Sequence, residues 1–280
     1  MVGVESPRSA DGLIDAETFN SIRRIVYAKS GIFVRNGKEA MVSARVGKRM
    51  RALGITGFRA YLKYLKKDPS GNEIVQLLDV MATNVTSFFR QADQFEFLAN
   101  VIRDRLMQKQ RRFRFWCAAC STGEEPYTLA MTFLEAAEGS WTDAKILGTD
   151  IAGSVLAACD RGVFSEEAAS SIPDELRSKY FLPHRGGSLG SLKARSTLRQ
   201  LIVFRRMNLA STPYPLKGPL DAILCRNVMI YFDNEVRRRL LSEMYRLLKP
   251  GGYLLTGHAE SLTCMLSDFK AVRPSVYVKD

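Results

Sequence analysis

Arg114-Phe-Trp-Cys-Ala-Ala-Cys-Ser-Thr-Gly-Glu-Glu-Pro-Tyr-Thr-Leu-Ala-Met131 decides how the rest of the chain reads. It opens as an apolar run, turns through the small residues from Ala118 to Gly123, and continues in a helix-like pattern. Pro126 suits the first turn of that helix, where a missing N–H costs nothing. Strand, tight turn and helix opening form the unit with which doubly wound α/β folds hold a nucleotide-like cofactor. With Gly123 as its only glycine, the turn is not a G-x-G-x-x-G dinucleotide fingerprint, and Glu124 and Glu125 stand where a phosphate needs donors. A pyrophosphate would be repelled there, whereas a cofactor with a cationic centre and an amino group, such as S-adenosylmethionine, would not.

Downstream the chain alternates. Strand candidates are Phe113–Ala118, Lys145–Thr149, Leu220–Cys225, Tyr253–Thr256 and Ser275–Val278, with helices at about 125–137, 153–160 and 235–248 between them. This predicts a mostly parallel sheet covered on both faces, spanning 113–280. One stretch breaks the alternation. The glycine-rich His184-Arg-Gly-Gly-Ser-Leu-Gly190, flanked by β-like pieces of which Leu201-Ile-Val-Phe204 is the clearest, predicts an antiparallel insertion at about 181–205.

Upstream the pattern is helical. Phe19, Ile22 and Val26 share one face; a second helix from about 37 to 53 turns Met41, Val42, Val46 and Met50 inward. Thr56 is placed to cap a third, and a fourth carries Ile74, Leu77, Leu78 and Met81. Residues 15–82 therefore read as a small all-α domain, and 83–112 as a connecting segment with a helix of its own. Between Asn20 and Lys67 stand 13 Lys or Arg against the single acid Glu39, which accounts for the net charge of +12. Such an excess implies an acidic partner. Lys38, Arg45, Lys48, Arg49 and Arg51 crowd the second helix.

The composition, 46% hydrophobic and 25% charged, is that of a soluble globular protein, with no apolar run near the roughly 18 residues of a membrane span. No signal peptide is legible, so a cytoplasmic location is expected. Cys117 and Cys120 have C-x-x-C spacing, but no second such pair exists and His184 and His258 lie far away, so no metal site is expected. Cys159, Cys225 and Cys264 read as reduced core cysteines.

Ligands of open α/β sheets bind beyond the carboxyl ends of strands. Those positions hold Gly123-Glu-Glu125, then Asp150, 27 residues past Gly123 and placed to accept from ribose hydroxyls, then Arg226 and Asn227. Six stretches occur in order: Thr83-Asn-Val-Thr-Ser-Phe-Phe-Arg90, Ala119-Cys-Ser-Thr-Gly-Glu-Glu-Pro-Tyr127, Gly148-Thr-Asp-Ile151, Met207-Asn-Leu209, Arg226-Asn-Val-Met-Ile-Tyr-Phe-Asp233 and Gly257-His-Ala-Glu-Ser261. Together they resemble the CheR-type chemotaxis-receptor glutamate methyltransferases over roughly residues 15–280.

The resemblance implies a Rossmann-like methyltransferase domain behind the helical one, and binding of S-adenosylmethionine by Asn84, Thr86, Arg90, Glu125, Asp150, Asn208, Leu209, Arg226 and Asn227. It implies glutamate methyl esters on cytoplasmic helices of chemoreceptors as products, in chemotaxis adaptation, with S-adenosylhomocysteine released. Arg90 is expected to steer the substrate carboxylate and Tyr231 to shape the transfer pocket. The basic helix, through Arg45, Lys48 and Arg49, is expected to meet the receptor, and the insertion is a candidate seat for a receptor tail. The basic bundle also suits a nucleic-acid methyltransferase. The chain lacks the N-P-P-Y-like and Pro-Cys signatures of those enzymes, so nucleic acid is not the expected partner. A non-catalytic module on the same fold is a third reading, against which stand the intact Arg90, Asp150 and Arg226-Asn227.

Overall fold

A computed structural model describes residues 12–82, 84–184, 186, 190–260, 262 and 268–280. Cys264, Thr83, Ser261 and part of the glycine-rich turn at 185 and 187–189 lie outside them. The chain divides into two compact units, Met1–Thr83 and Asn84–Asp280.

The described residues of the first unit form four helices: α1 Ala16–Ser30, α2 Glu39–Leu53, α3 Phe58–Lys67 and α4 Asn72–Met81. Asp15 caps α1 by accepting from the Thr18 N–H, and Gly31 ends it in the left-handed conformation. Gly57, not Thr56, occupies the N-cap of α3 and offers no side-chain bond. Phe19, Ile22, Val26, Val42, Val46, Met50, Tyr61, Leu65 and Leu77 form the core. Among the described residues one charged group lies inside it. Glu73 is 2% exposed, and its carboxylate accepts from Arg49 Nε at 2.9 Å and Nη2 at 2.6 Å and from the Tyr61 hydroxyl at 2.8 Å. Arg49, expected on the receptor-facing surface, is thus a structural cation. Arg45 is half-buried and donates to the Met81 carbonyl. Lys38, Lys48 and Arg51 remain exposed.

The second unit runs α5 Ala92–Met107, β1 Arg112–Ala118, α6 Glu124–Ala137, β2 Asp143–Asp150, α7 Gly153–Arg161, β3 Val163–Phe164, α8 Glu166–Ala169, α9 Asp174–Tyr180, β4 Phe181–Pro183, β5 Leu192–Ala194, α10 Ser196–Arg199, β6 Ile202–Arg206, β7 Leu220–Cys225, α11 Asn234–Leu247, β8 Leu248–Thr256, β9 Phe269–Arg273 and β10 Val276–Lys279. Seven strands form one sheet in the order β6-β2-β1-β7-β8-β10-β9. The first five are mutually parallel and the last two join antiparallel. Phe113, Phe115, Cys117, Ile146, Leu224 and Leu255 bury the sheet's interior, and Phe95, Leu98 and Ile102 of α5 join the same core. Residues 84–112, expected as a connector, therefore pack as part of this unit.

Three details of the strands differ from what the sequence alone predicts. Residues 201–204 do not belong to the antiparallel insertion. Ile202–Phe204 open β6, which lies parallel to β2 at the sheet's edge with Ile202 opposite Ile146 and Phe204 opposite Gly148. A Cβ on Gly148 would sit 2.7 Å from the Phe204 ring, so that close seat needs glycine. The insertion itself is a separate three-stranded sheet, β3-β5-β4, whose first strand precedes residue 181. Strand β9 is not among the strands the sequence pattern predicts.

The strand order fixes where a ligand can sit. From β1 the chain steps outward to β2 and β6, then returns to the other side of β1 for β7 and β8. The reversal falls between β1 and β7, whose last residues Ala118 and Cys225 are paired. A crevice opens at such a switch point because successive connections leave in opposite directions.

Candidate active site

The turn after β1 is held rather than flexible. Ala119, Ser121 and Gly123 all have positive φ, at 62°, 49° and 105°. For the two non-glycines that conformation is costly and persists only when the surroundings impose it. Cys120 N–H donates to the Thr149 carbonyl at 2.8 Å, Ser121 N–H to Asp150 Oδ2 at 2.9 Å, and the Cys159 thiol to the Ser121 carbonyl at 3.0 Å. Neighbouring strand and helix thus replace the glycines that other cofactor turns use. A Cβ on Gly123 would approach Cys159 Sγ to 3.1 Å.

Asp150 ends β2 and is 6% exposed. Beyond Ser121, its Oδ1 accepts from Ala152 N–H at 3.0 Å, and its own carbonyl accepts from Met207 N–H at 2.9 Å. This brings Asn208 and Leu209, just after β6, beside the end of β2. Asn208 Oδ1 accepts from Ala210 N–H, and the buried Leu209 carbonyl accepts from the Tyr214 hydroxyl.

Arg226, the first residue past β7, has a side chain 2% exposed against 12% for its partner Glu125. Its Nη1 donates to Glu125 Oε2 at 2.9 Å, Nε and Nη2 donate to Gln91 Oε1 at 3.2 and 2.8 Å, and Nη2 also reaches the Arg90 carbonyl. The guanidinium lies 5.1 Å from the Phe95 ring centre. Burial pushes the Glu125 carboxyl above the usual carboxylate range, while the adjacent Arg226 charge pulls it back. Glu125 rather than Glu124 meets this cluster; Glu124 accepts instead from the Thr122 hydroxyl. Burial likewise raises the Cys117 and Cys225 thiols. Among the described residues no group of metal-ligating side chains occurs.

Gln91 itself has φ 58° and Phe89 φ 53°, so the stretch before α5 is bent at two non-glycine positions beside the residue Arg226 grips. Arg90 is half-buried and its Nη1 donates to the Val85 carbonyl at 3.0 Å. Asn84 and Thr86 stand half-buried on the same stretch. Tyr231 closes a 3-10 turn, Met229–Tyr231, and is half-buried. His258 faces Asp93 at 3.5 Å, both about half exposed.

Three groups that the sequence reading passed over are built into this end of the sheet. Gln91 binds Arg226, Glu260 accepts three backbone N–H groups, and Gln94 donates to the Thr256 carbonyl at 2.8 Å. The only sequence signal was position: Gln91 follows Arg90, and Glu260 is the acid of Gly257-His-Ala-Glu-Ser261. Ser121 Oγ, Asn227 Oδ1 and Gln94 Oε1 are buried without a hydrogen-bond partner. Buried polar atoms are rarely left so. These two carbonyl acceptors and one hydroxyl, with the Asp150 carboxylate, fit a ligand rich in N–H and O–H donors, as S-adenosylmethionine is.

Comparison with known proteins accounts for both units. The model of the CheR methyltransferase SAM binding domain matches residues 84–278, and that of the CheR methyltransferase all-alpha domain matches residues 17–82. The chain is 36% identical over 261 residues to chemotaxis protein methyltransferase 2 of Pseudomonas aeruginosa, covering 93% of this chain and 92% of that one. It is 35% identical to the chemotaxis protein methyltransferase of Escherichia coli, covering 92% and 89%, and 32% identical to that of Borreliella burgdorferi, covering 95% of each.

Proposed function

The chain belongs to the CheR methyltransferase family, and from that premise we propose that it converts glutamate side chains on the cytoplasmic helices of chemoreceptors into methyl esters. Residues 84–278 are its S-adenosylmethionine-binding domain. The observation that carries the reading is the continuity of the resemblance: helical unit and α/β unit are both matched, in order, so the cofactor domain comes with the family's own companion domain. Among the described residues no helix is long and apolar enough to cross a membrane, which suits an enzyme that meets receptors from the cytoplasm.

The bound cofactor supplies an electrophilic methyl group on a sulfonium and leaves as S-adenosylhomocysteine. A glutamate carboxylate is already ionised at neutral pH and needs no general base. What the chain must contribute is proximity and orientation. We assign cofactor contacts to Asn84, Thr86, Arg90, Glu125, Asp150, Asn208, Leu209 and Asn227. Arg226, with its donors committed to Glu125, Gln91 and the Arg90 carbonyl, holds the Arg90 stretch and Glu125 in place. The Arg90 side chain steers the substrate carboxylate, and Tyr231 shapes the wall beside it.

For receptor recognition, the exposed Lys48, with its α2 neighbours Lys38 and Arg51, replaces Arg49, whose guanidinium is taken by Glu73. Charges of this kind steer and align an acidic helix more than they tighten it. Strand β4 is an edge of the small sheet, with Leu182 45% exposed, and is open to a receptor tail added as a further strand.

The test is incubation with methyl-labelled S-adenosylmethionine and receptor-containing membranes, followed by base. Methyl esters release volatile labelled methanol; label on nitrogen or on a base stays bound. Label that reaches receptors but resists alkali would refute glutamate O-methylation.

A further inference from the structure

The Glu260 carboxylate, 5% exposed, sits at the far side of the switch point. Its Oε2 accepts from Asn227 N–H and from Gly257 N–H, both at 2.7 Å, and its Oε1 from Ile230 N–H at 3.3 Å. It thereby ties the loop after β8 to the loop after β7, 33 residues earlier in the chain. Charge-assisted bonds to backbone amides are among the stronger hydrogen bonds a protein makes.

Asn227 is the residue most affected. It stands at φ 58°, and its side chain Oδ1 is buried and unpartnered. The approach is close: a Cβ on Gly257 would lie 2.6 Å from Asn227 Nδ2 and 2.9 Å from its backbone N. A turn that merely needed closing would not hold a left-handed asparagine against a glycine with its side-chain acceptor left bare.

We propose that Glu260 is a positioning residue for the cofactor. It anchors the Asn227 backbone in its strained conformation and so fixes Oδ1 where a donor of the bound cofactor meets it. This rests on the assignment of Asn227 to the cofactor site. Glutamine at 260 can still turn its one carbonyl oxygen to the 227 and 257 amides, losing the long bond to Ile230 and the charge. Aspartate keeps the charge but is a methylene too short to reach both loops.

Calorimetric titration of the full chain with S-adenosylhomocysteine, beside thermal melts, separates the outcomes. Glu260→Asp should raise Kd on the order of 10–100-fold. Glu260→Gln should raise it less than tenfold, so geometry and not charge sets the order. In an Asn227→Ala background, Glu260→Asp should add little, because contacts sharing a partner are not additive. If Glu260→Asp does not fold, Glu260→Gln in the two backgrounds carries the same cycle. Full additivity, or a wild-type Kd for Glu260→Asp, overturns the proposal while leaving Asn227 in the site. A wild-type Kd for Asn227→Ala removes Asn227 from the site and the role of Glu260 with it.

Discussion

Arg226→Ala is the perturbation that separates scaffold from chemistry most sharply. The guanidinium is almost wholly buried, and removing it strips Glu125 of its cation, Gln91 Oε1 of two donors and the Arg90 carbonyl of one. Breaking a buried ion pair by deleting one partner costs about 3–5 kcal/mol, and each orphaned neutral acceptor adds about 1 kcal/mol. Glu125 limits the loss because it can take up a proton. We therefore expect a destabilisation of about 4 kcal/mol at pH 8, a large part of the roughly 5–15 kcal/mol that holds a typical domain.

The pH dependence has a definite sign. The folded Glu125 carboxyl lies above its unfolded value, and deleting Arg226, which pulls it down, lifts it further. A carboxylate raised in the folded state destabilises above its folded pKa and is relieved as pH falls from there toward its unfolded value. Each pH unit in that window returns about 1.4 kcal/mol. The variant should thus recover part of its deficit near pH 5. Urea unfolding followed by tryptophan fluorescence reads this unit alone: both tryptophans lie in it, Trp116 fully buried and Trp141 78% exposed. A variant within about 1 kcal/mol of wild type at pH 8, or one that weakens further on acidification relative to wild type, would refute the reasoning.

Other consequences are direct. Asp150→Ala should weaken S-adenosylhomocysteine binding on the order of 10–100-fold by calorimetry; it should also lower the melting temperature, because Ser121 and Ala152 lose their acceptor. Arg90→Ala should reduce methylation of receptors at saturating substrates with little change in melting temperature, and lysine should restore it only in part, lacking the planar fork; an unchanged rate in the alanine variant removes Arg90 from the site. Lys48→Glu with Arg51→Glu should raise the receptor KM at low salt and flatten its salt dependence, while Arg49→Glu should instead destabilise the helical unit by about 3–5 kcal/mol, since it sets a second carboxylate against buried Glu73. Equal behaviour of the two charge reversals, in KM and in melting, would dissolve that distinction.

What the sequence made legible followed from local pattern. The strand, turn and helix around Gly123 and the strands ending at Ala118, Asp150, Cys225 and Thr256 are written in apolar runs with punctuation, which depend on near neighbours only. The sheet to which residues 201–204 belong is illegible for the complementary reason. A short apolar run says strand but not which sheet, and the Phe204–Gly148 contact that seats β6 beside β2 links positions 56 apart. Arg49 illustrates the same limit: on a basic helix it looks like its neighbours, and only the fold brings Glu73, 24 residues on, beneath it.

The site shows a finer division. Asp150, Arg226 and Asn227 stand directly at strand ends, where topology alone gives them weight. The residues that hold them, Gln91 and Glu260, lie on the loops from other elements, 135 residues before Arg226 and 33 after Asn227. Their hydrogen bonds are made across the switch point, so no window of sequence contains both partners. Backbone strain is distributed the same way. Phe89, Gln91, Ala119, Ser121 and Asn227 all have positive φ without being glycine. Ser121 and Asn227 are each fixed by a buried carboxylate from elsewhere, Asp150 for the first and Glu260 for the second. The glycine-poor turn that set this chain apart from dinucleotide binders is therefore one instance of a wider device, in which distant acids impose at the carboxyl ends of the central strands the conformations that glycine would otherwise supply, and leave Ser121 Oγ and Asn227 Oδ1 without a hydrogen-bond partner.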